Sequence, residues 1–225
     1  MEREVRVRLT PHGARELVIG SLLLGGACGL ALWLLPAAVV APAGLWALLV
    51  AFFRDPERQP PEGDHLVLAP ADGRVTDLET VVEEDFLGGE AVRVGIFMSL
   101  FDMHVNRAPV SGKVIFRDYR PGKFRNAMLP AASRENECLL LGVEREDGSR
   151  VLVKQVAGLV ARRIVCVPEV GDRVRRGERF GMVKFGSRLE VYVPTSLGFR
   201  PSVRVGERVR AGESVVGELN AEGGG

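Results

Sequence analysis

The chain has 225 residues, with 30 Lys and Arg against 29 Asp and Glu and a formal charge of +1, which excludes a nucleic-acid partner held by bulk electrostatics. Its length allows one globular domain of about 150 residues plus an appendage, without a second soluble domain. The three cysteines, Cys28, Cys138 and Cys166, share no C-x-x-C spacing and are odd in number, which argues against a disulfide framework and fits a reducing compartment.

In chain order, residues 1–16 read as a cytoplasmic N-terminal segment carrying Arg3, Arg6, Arg8 and Arg15. From Leu17 to Phe53 there is no Asp, Glu, Lys or Arg over 37 residues, longer than a signal-peptide core and too long for one ordinary span. Pro36 and Pro42 interrupt the tract, which predicts a transmembrane or re-entrant helical hairpin over 17–53 and not one straight helix. Arg54 and Arg58 follow it, so the charge rule draws both flanks, and the domain beyond them, to the cytoplasmic side of a cell membrane. Phe52, Phe53, Arg54 and Arg58 are then expected at the lipid surface, with 54–64 as a short stiff linker.

Residues 65–225 read as one catalytic β domain. Short apolar runs such as VRVGIFM, GKVIF and LEVYV alternate with Gly, Pro, Asp and Asn, which predicts a mainly β fold. Only FRNAMLPAASREN lacks the alternation and reads as a loop with one helical turn. VGDRVRRGE at 170–178 recurs as VGERVRAGE at 205–213, each copy a turn, a short strand and a second turn whose glycines supply positive φ. Paired units of this kind resemble the hammerhead turns of barrel-sandwich folds known from biotinyl and lipoyl carrier domains, which implies a barrel-sandwich-like architecture.

Only His12, His65 and His104 are available, and His12 precedes the apolar tract. A zinc endopeptidase would need two or three histidines and a carboxylate on one ion, so no metal site is expected. His104, with Asp102, Asn106 and Arg107 close by in sequence, is either a proton-transfer group or a surface loop residue. Asp72 in Pro70-Ala71-Asp72-Gly73 is a turn former or, if it comes near Ser187, a catalytic partner. In Lys184-Phe185-Gly186-Ser187 the serine hydroxyl follows a glycine carbonyl at a strand-edge turn. Attack of that hydroxyl on the Gly186 carbonyl turns the amide into an ester, and β-elimination and hydrolysis then leave a pyruvoyl group and ammonia. Glycine tolerates the strained backbone this requires, although Gly-Ser pairs also sit in ordinary turns. Met182-Val183-Lys184-Phe185 resembles a biotin-attachment hairpin, which makes a membrane-tethered biotinyl or lipoyl carrier modified on Lys184 the alternative. An efflux adaptor would need a long heptad hairpin, which the chain lacks.

The ordered set FFRDPER, PADGRV, FMSLFDMHVNRAPVSG, NEC, QVAGLVARRIV and GERFGMVKFGSRLEVYVP resembles the short bacterial and archaeal phosphatidylserine decarboxylases from about Phe52 to Pro194. The resemblance implies a pyruvoyl enzyme that cleaves itself between Gly186 and Ser187 into a β chain (1–186) and an α chain (187–225), which stay together as a heterodimer and leave higher oligomers open. It implies catalytic roles for Asp72, His104 and Ser187, a covalent pyruvoyl cofactor derived from Ser187, and a phospholipid substrate at a membrane. Longer members carry a second histidine where this chain has Arg107. That arginine, with Asn106 and Gln155, is expected to contact substrate, its planar donors suiting a phosphate or carboxylate.

Overall fold

The computed structural model describes residues 7–129, 131–159, 163–184 and 186–220; Arg3, Arg6, Phe185 and part of the QVAGLVARRIV run lie outside them. The chain divides into two compact units, Met1–Glu57 and Arg58–Gly225.

The first unit begins with β1 (Val7–Leu9), followed by α1 (Ala14–Leu34), a 3-10 turn at Pro36–Val39, α2 (Val40–Phe52) and β2 (Arg54–Pro56). Leu35 is extended, at φ −154° and ψ 95°, because the residue before a proline is driven out of the helical region; α1 therefore stops there. Pro42 breaks nothing. It lies in the first turn of α2, where its missing N–H would have had no partner inside the helix. The helices run antiparallel, with the Trp46 Nε1–H donating to Ser21 Oγ at 3.0 Å and Gly20 against Leu49. An antiparallel ladder from Val7↔Pro56 to Leu9↔Arg54 closes the open end of this hairpin. Among the described residues, Pro11–Leu34 is the one helical stretch long and apolar enough to cross a membrane, and its Leu22, Leu23 and Trp33 side chains are exposed. The 13 residues of α2 reach only about 20 Å.

The second unit is almost entirely β: β3 (Leu66–Leu68), β4 (Gly73–Glu83), β5 (Gly89–Met98), β6 (Val105–Arg107), β7 (Gly112–Arg120), β8 (Cys138–Glu144), β9 (Arg150–Val156), β10 (Ile164–Cys166), β11 (Arg173–Val174), β12 (Arg179–Val183), β13 (Ser187–Pro194), β14 (Arg200–Pro201), β15 (Arg208–Val209) and β16 (Val215–Glu218). One helical turn, α3 (Ala132–Glu135), lies in the stretch that lacks strand alternation. Eight strands form an antiparallel sheet in the order β11-β7-β8-β9-β13-β5-β4-β15, and two three-stranded sheets are ordered β10-β12-β6 and β14-β16-β3. Successive strand residues face opposite sides. Leu189, Val191 and Val193 of β13 therefore enter the main core beside Ile96, Leu141 and Val153, which Val67, Phe180 and Val216 of the small sheets complete. Arg188, Glu190 and Tyr192 are carried on the other face.

The repeat at 170–178 and 205–213 folds as two equivalent turns, with Gly171, Gly177, Gly206 and Gly212 all at φ between +71° and +105°. The structure exposes its counterpart. Ala69-Pro70-Ala71-Asp72-Gly73-Arg74-Val75 matches Ala108-Pro109-Val110-Ser111-Gly112-Lys113-Val114, and the hydrogen bonds match with it. Gly177 N–H donates to the Ala108 carbonyl as Gly212 N–H does to Ala69, and Gly171 N–H to Val114 as Gly206 N–H does to Val75. The two segments also exchange bonds, Arg107 N–H to the Pro70 carbonyl and Leu68 N–H to Pro109. The domain is thus internally two-fold.

Candidate active site

Ser187 is the first residue of β13, fully buried on the core face. It stands opposite Met98 of β5, and its hydroxyl donates to the Val183 carbonyl, where β12 ends, at 3.2 Å. Gly186 takes φ +64°, a left-handed conformation that favours glycine. Space around it is open to a Cβ, so conformation alone demands glycine there.

His104 precedes β6 and is fully buried, which removes the surface-loop reading. Its Nδ1 lies 2.9 Å from the Asp102 carbonyl oxygen, and the Gly186 N–H donates to its Nε2 at 3.3 Å. A carbonyl needs a donor and an N–H needs an acceptor, so both contacts hold together only with the proton on Nδ1 and the Nε2 lone pair turned toward the Gly186 segment. That is the form of a base.

Asn106 and Gln155 extend the site across the core. Asn106 Nδ2 donates to the His104 carbonyl at 3.2 Å, and Gln155 Nε2 donates to Asn106 Oδ1 at 2.8 Å and to the Val165 carbonyl at 3.1 Å. Gln155 pairs in register with Leu189, two residues along from Ser187, and so shares its face. Its Oε1 is buried without a hydrogen-bond partner. An unmet buried acceptor costs about 1–3 kcal/mol.

Asp72 lies two strands from Ser187, where β4 begins beyond β5. Its Oδ1 accepts from Ala211 N–H at 2.7 Å, as Ser111 Oγ accepts from Arg176 N–H in the other half of the repeat. Capping the turn is therefore its structural share. What the repeat does not explain is the second oxygen, which accepts from Arg58 Nη2 at 2.9 Å. Burial pushes the Asp72 carboxyl up from its ordinary value, against the pull of Arg58. Arg58, expected at the lipid surface, is instead buried between Asp72 and Glu213. Sequence reasoning missed that role, because a basic residue after an apolar tract reads as a membrane flank.

Arg107 falls on the strand face opposite Asn106; its Nη1 donates to the Gly177 carbonyl at 2.9 Å, and the side chain packs at Gly212. It braces the repeat turns where its counterpart Leu68 is buried. Lys184 is buried. A carrier lysine must be presented to a modifying enzyme, so the biotinyl or lipoyl carrier alternative fails on burial.

The sequence profile of the phosphatidylserine decarboxylase family matches residues 45–217. The chain is 51% identical over 177 residues to the phosphatidylserine decarboxylase proenzyme of Symbiobacterium thermophilum, covering 79% of this chain and 81% of that protein. It is 44% identical over 215 residues to the proenzyme of Trichlorobacter lovleyi, covering 94% and 96%. The proenzyme of Syntrophus aciditrophicus is 44% identical over 206 residues, covering 91% and 96%.

Proposed function

The chain belongs to the phosphatidylserine decarboxylase family, and we propose that it makes its own reactive carbonyl by cutting itself before Ser187. Its reaction is the decarboxylation of phosphatidylserine, which leaves phosphatidylethanolamine and carbon dioxide.

In maturation the Ser187 Oγ bonds to the Gly186 carbonyl carbon, the peptide C–N bond breaks, and the freed nitrogen takes a proton. Loss of the Ser187 α-proton then expels the Gly186 carboxylate from Cβ. Water adds to the resulting dehydroalanine, ammonia leaves, and residue 187 becomes a pyruvoyl group. The β chain (1–186) and α chain (187–225) remain a heterodimer, because β13 is hydrogen-bonded between β5 and β9.

His104 is the base in this reading. Its Nε2 faces the segment to be cut, whereas both Asp72 oxygens are engaged by Arg58 and Ala211; Asp72 contributes by holding the turn and the local charge. Once formed at residue 187, a pyruvoyl carbonyl would supply an electrophile for the substrate amine and an electron sink for decarboxylation. The residues fit that group. Ser187 is fully buried, and the unmet Gln155 oxygen offers an acceptor to the substrate amine, with Asn106 holding the amide in place. His104 delivers the proton to the α-carbon.

The hairpin over 17–53 serves as the membrane anchor, both ends on the cytoplasmic side, a reading supported by the ladder that joins β1 to β2. The matched halves of the domain support a barrel-sandwich-like architecture.

The observation that carries the proposal is the His104 Nε2 turned to Gly186 beside a buried Ser187. Intact-mass analysis of purified protein tests it. Two chains are expected, the smaller being residues 187–225 with a blocked N-terminus, and decarboxylation should follow that fragment. A whole, fully active chain with an unmodified Ser187 rejects the mechanism.

A further inference from the structure

Two residues in the ordered segments have so far carried no role: Asn136 in Asn136-Glu137-Cys138 and Gly158, three residues after Gln155. We propose that Asn136 and Gly158 together form a clamp that positions the Gly186 carbonyl for self-cleavage, an inference that rests on the self-cleavage reading above.

Gly158 is buried against Gly186. A Cβ built on it would collide with the Gly186 carbonyl oxygen on one side and meet the Ala127 Cβ at 3.4 Å on the other. Its φ is not in the left-handed range, so glycine is required here by the close approach of two backbones and not by conformation. Gly186 is the complement, required by conformation with open space around it. One glycine shapes the carbonyl to be attacked and the other lies flat against it.

Asn136, buried after α3, holds Gly158 in that place. Its Nδ2 donates to the Ala157 carbonyl at 2.8 Å and to the Arg125 carbonyl at 2.8 Å, while its Oδ1 accepts from Arg125 N–H at 2.9 Å. Ala157 N–H donates to the Glu137 carbonyl at 2.9 Å. One side-chain amide thus ties the 125–127 segment and residue 157, the two backbones that flank Gly158. The scissile carbonyl is pressed against a surface that cannot yield, and its carbon is left to the Ser187 hydroxyl. Attack on a carbonyl depends on alignment, and small misplacements are costly in rate.

The test follows the appearance of the 187–225 fragment after cell-free synthesis of the full chain, with folding checked by near-ultraviolet circular dichroism. Gly158→Ala and Asn136→Asp, the latter replacing two donated bonds with carboxylate oxygens, should each slow cleavage at least about tenfold in a folded chain. Gly112→Ala is the control, because it also drives a Cβ into a backbone carbonyl, that of Glu144, but at the β7–β8 ladder; it should cleave at the parent rate. Hydroxylamine cuts an ester and spares an amide, so it should release no additional fragment from Gly158→Ala if carbonyl attack is the blocked step. Parent-like cleavage in both clamp variants, equal slowing in the control, or fragment release by hydroxylamine overturns the clamp while self-cleavage stands. A parent chain that never cleaves overturns both.

Discussion

Strand β13 places a different kind of polar structure on each of its two faces. On the core side Ser187 stands with His104, Asn106 and Gln155, all fully buried; Asn106 links the His104 carbonyl to the Gln155 amide by hydrogen bonds among neutral groups, and one acceptor is left unmet. On the other side Arg188 Nε donates to Glu190 Oε1 at 2.7 Å and its Nη2 to Asp77 Oδ1 at 2.6 Å. Tyr192 and Ser133 hydroxyls donate to Glu190 Oε2 at 2.6 and 2.9 Å. Arg93 binds Asp77 and Glu79. Gly95 makes room for this network, since a Cβ there would strike both Asp77 and Arg188. The charged face pairs both Glu190 oxygens and the Arg188 fork, while Arg93 Nε lies 3.2 Å from Asp77 Oδ1 without a hydrogen bond. The neutral face leaves Gln155 Oε1 unmet. A paired ionic network rigidifies strands, and the neutral face carries the residues proposed above for self-cleavage.

If that contrast is right, substitutions on the core face cost activity and those on the other face cost stability. Ser187→Ala should abolish both cleavage and decarboxylation with a melting curve close to the parent's, read by intact mass and carbon dioxide release. His104→Ala should lose about 10²- to 10⁴-fold in decarboxylation per folded protein, the ordinary contribution of a general acid or base. Arg188→Leu leaves the fully buried Glu190 without its paired cation, while the half-buried Asp77 keeps Arg93, and should cost about 3–5 kcal/mol in denaturant unfolding. Tyr192→Phe removes one bond to a carboxylate, about 1.5–3 kcal/mol, with activity retained. Large activity losses from Tyr192→Phe, or a collapse of stability in Ser187→Ala, would break the comparison.

The smallest effect concerns pH. Burial alone pushes the Glu190 carboxyl up, but Arg188, Lys154 and the Tyr192 hydroxyl outweigh it, and its pKa lies below the ordinary 4.5. The folded state therefore prefers ionised Glu190, whose contribution is present above the unfolded value and is lost as pH falls through the lower folded one. Asp72 has the opposite sign. Its pKa is raised above 3.8 by burial, so its contribution is greatest below that value and is lost as pH rises toward the folded one. Unfolding free energies of parent and Glu190→Gln should converge as pH falls from 7 through the carboxylate range, whereas those of parent and Asp72→Asn should not.

Much of this was legible in residue order. The absence of charge from Leu17 to Phe53 marks an apolar hairpin, and period-two runs between glycines and prolines mark strands. Gly186-Ser187 and His104 stand in segments whose order resembles one family. The duplication was half legible: the 170–178 and 205–213 copies share most of their letters, whereas Asp72 against Ser111 and Leu68 against Arg107 conceal the second pair until their hydrogen bonds are compared. That Arg107 and Asn106 point to opposite faces is hidden in residue order, where neighbours in sequence look like neighbours in space.

Residue order alone determined the elements and marked the Gly186-Ser187 dipeptide proposed to react, since helix, strand and turn preferences act over a few residues. Tertiary structure alone decided that Arg58 is held by Asp72 and Glu213, that Gln155 reaches Asn106, that Asn136 holds Ala157, and that Gly158 meets Gly186. Those contacts depend on strand pairing and on the absence of a single Cβ, which act across the folded chain and leave no periodic trace along it.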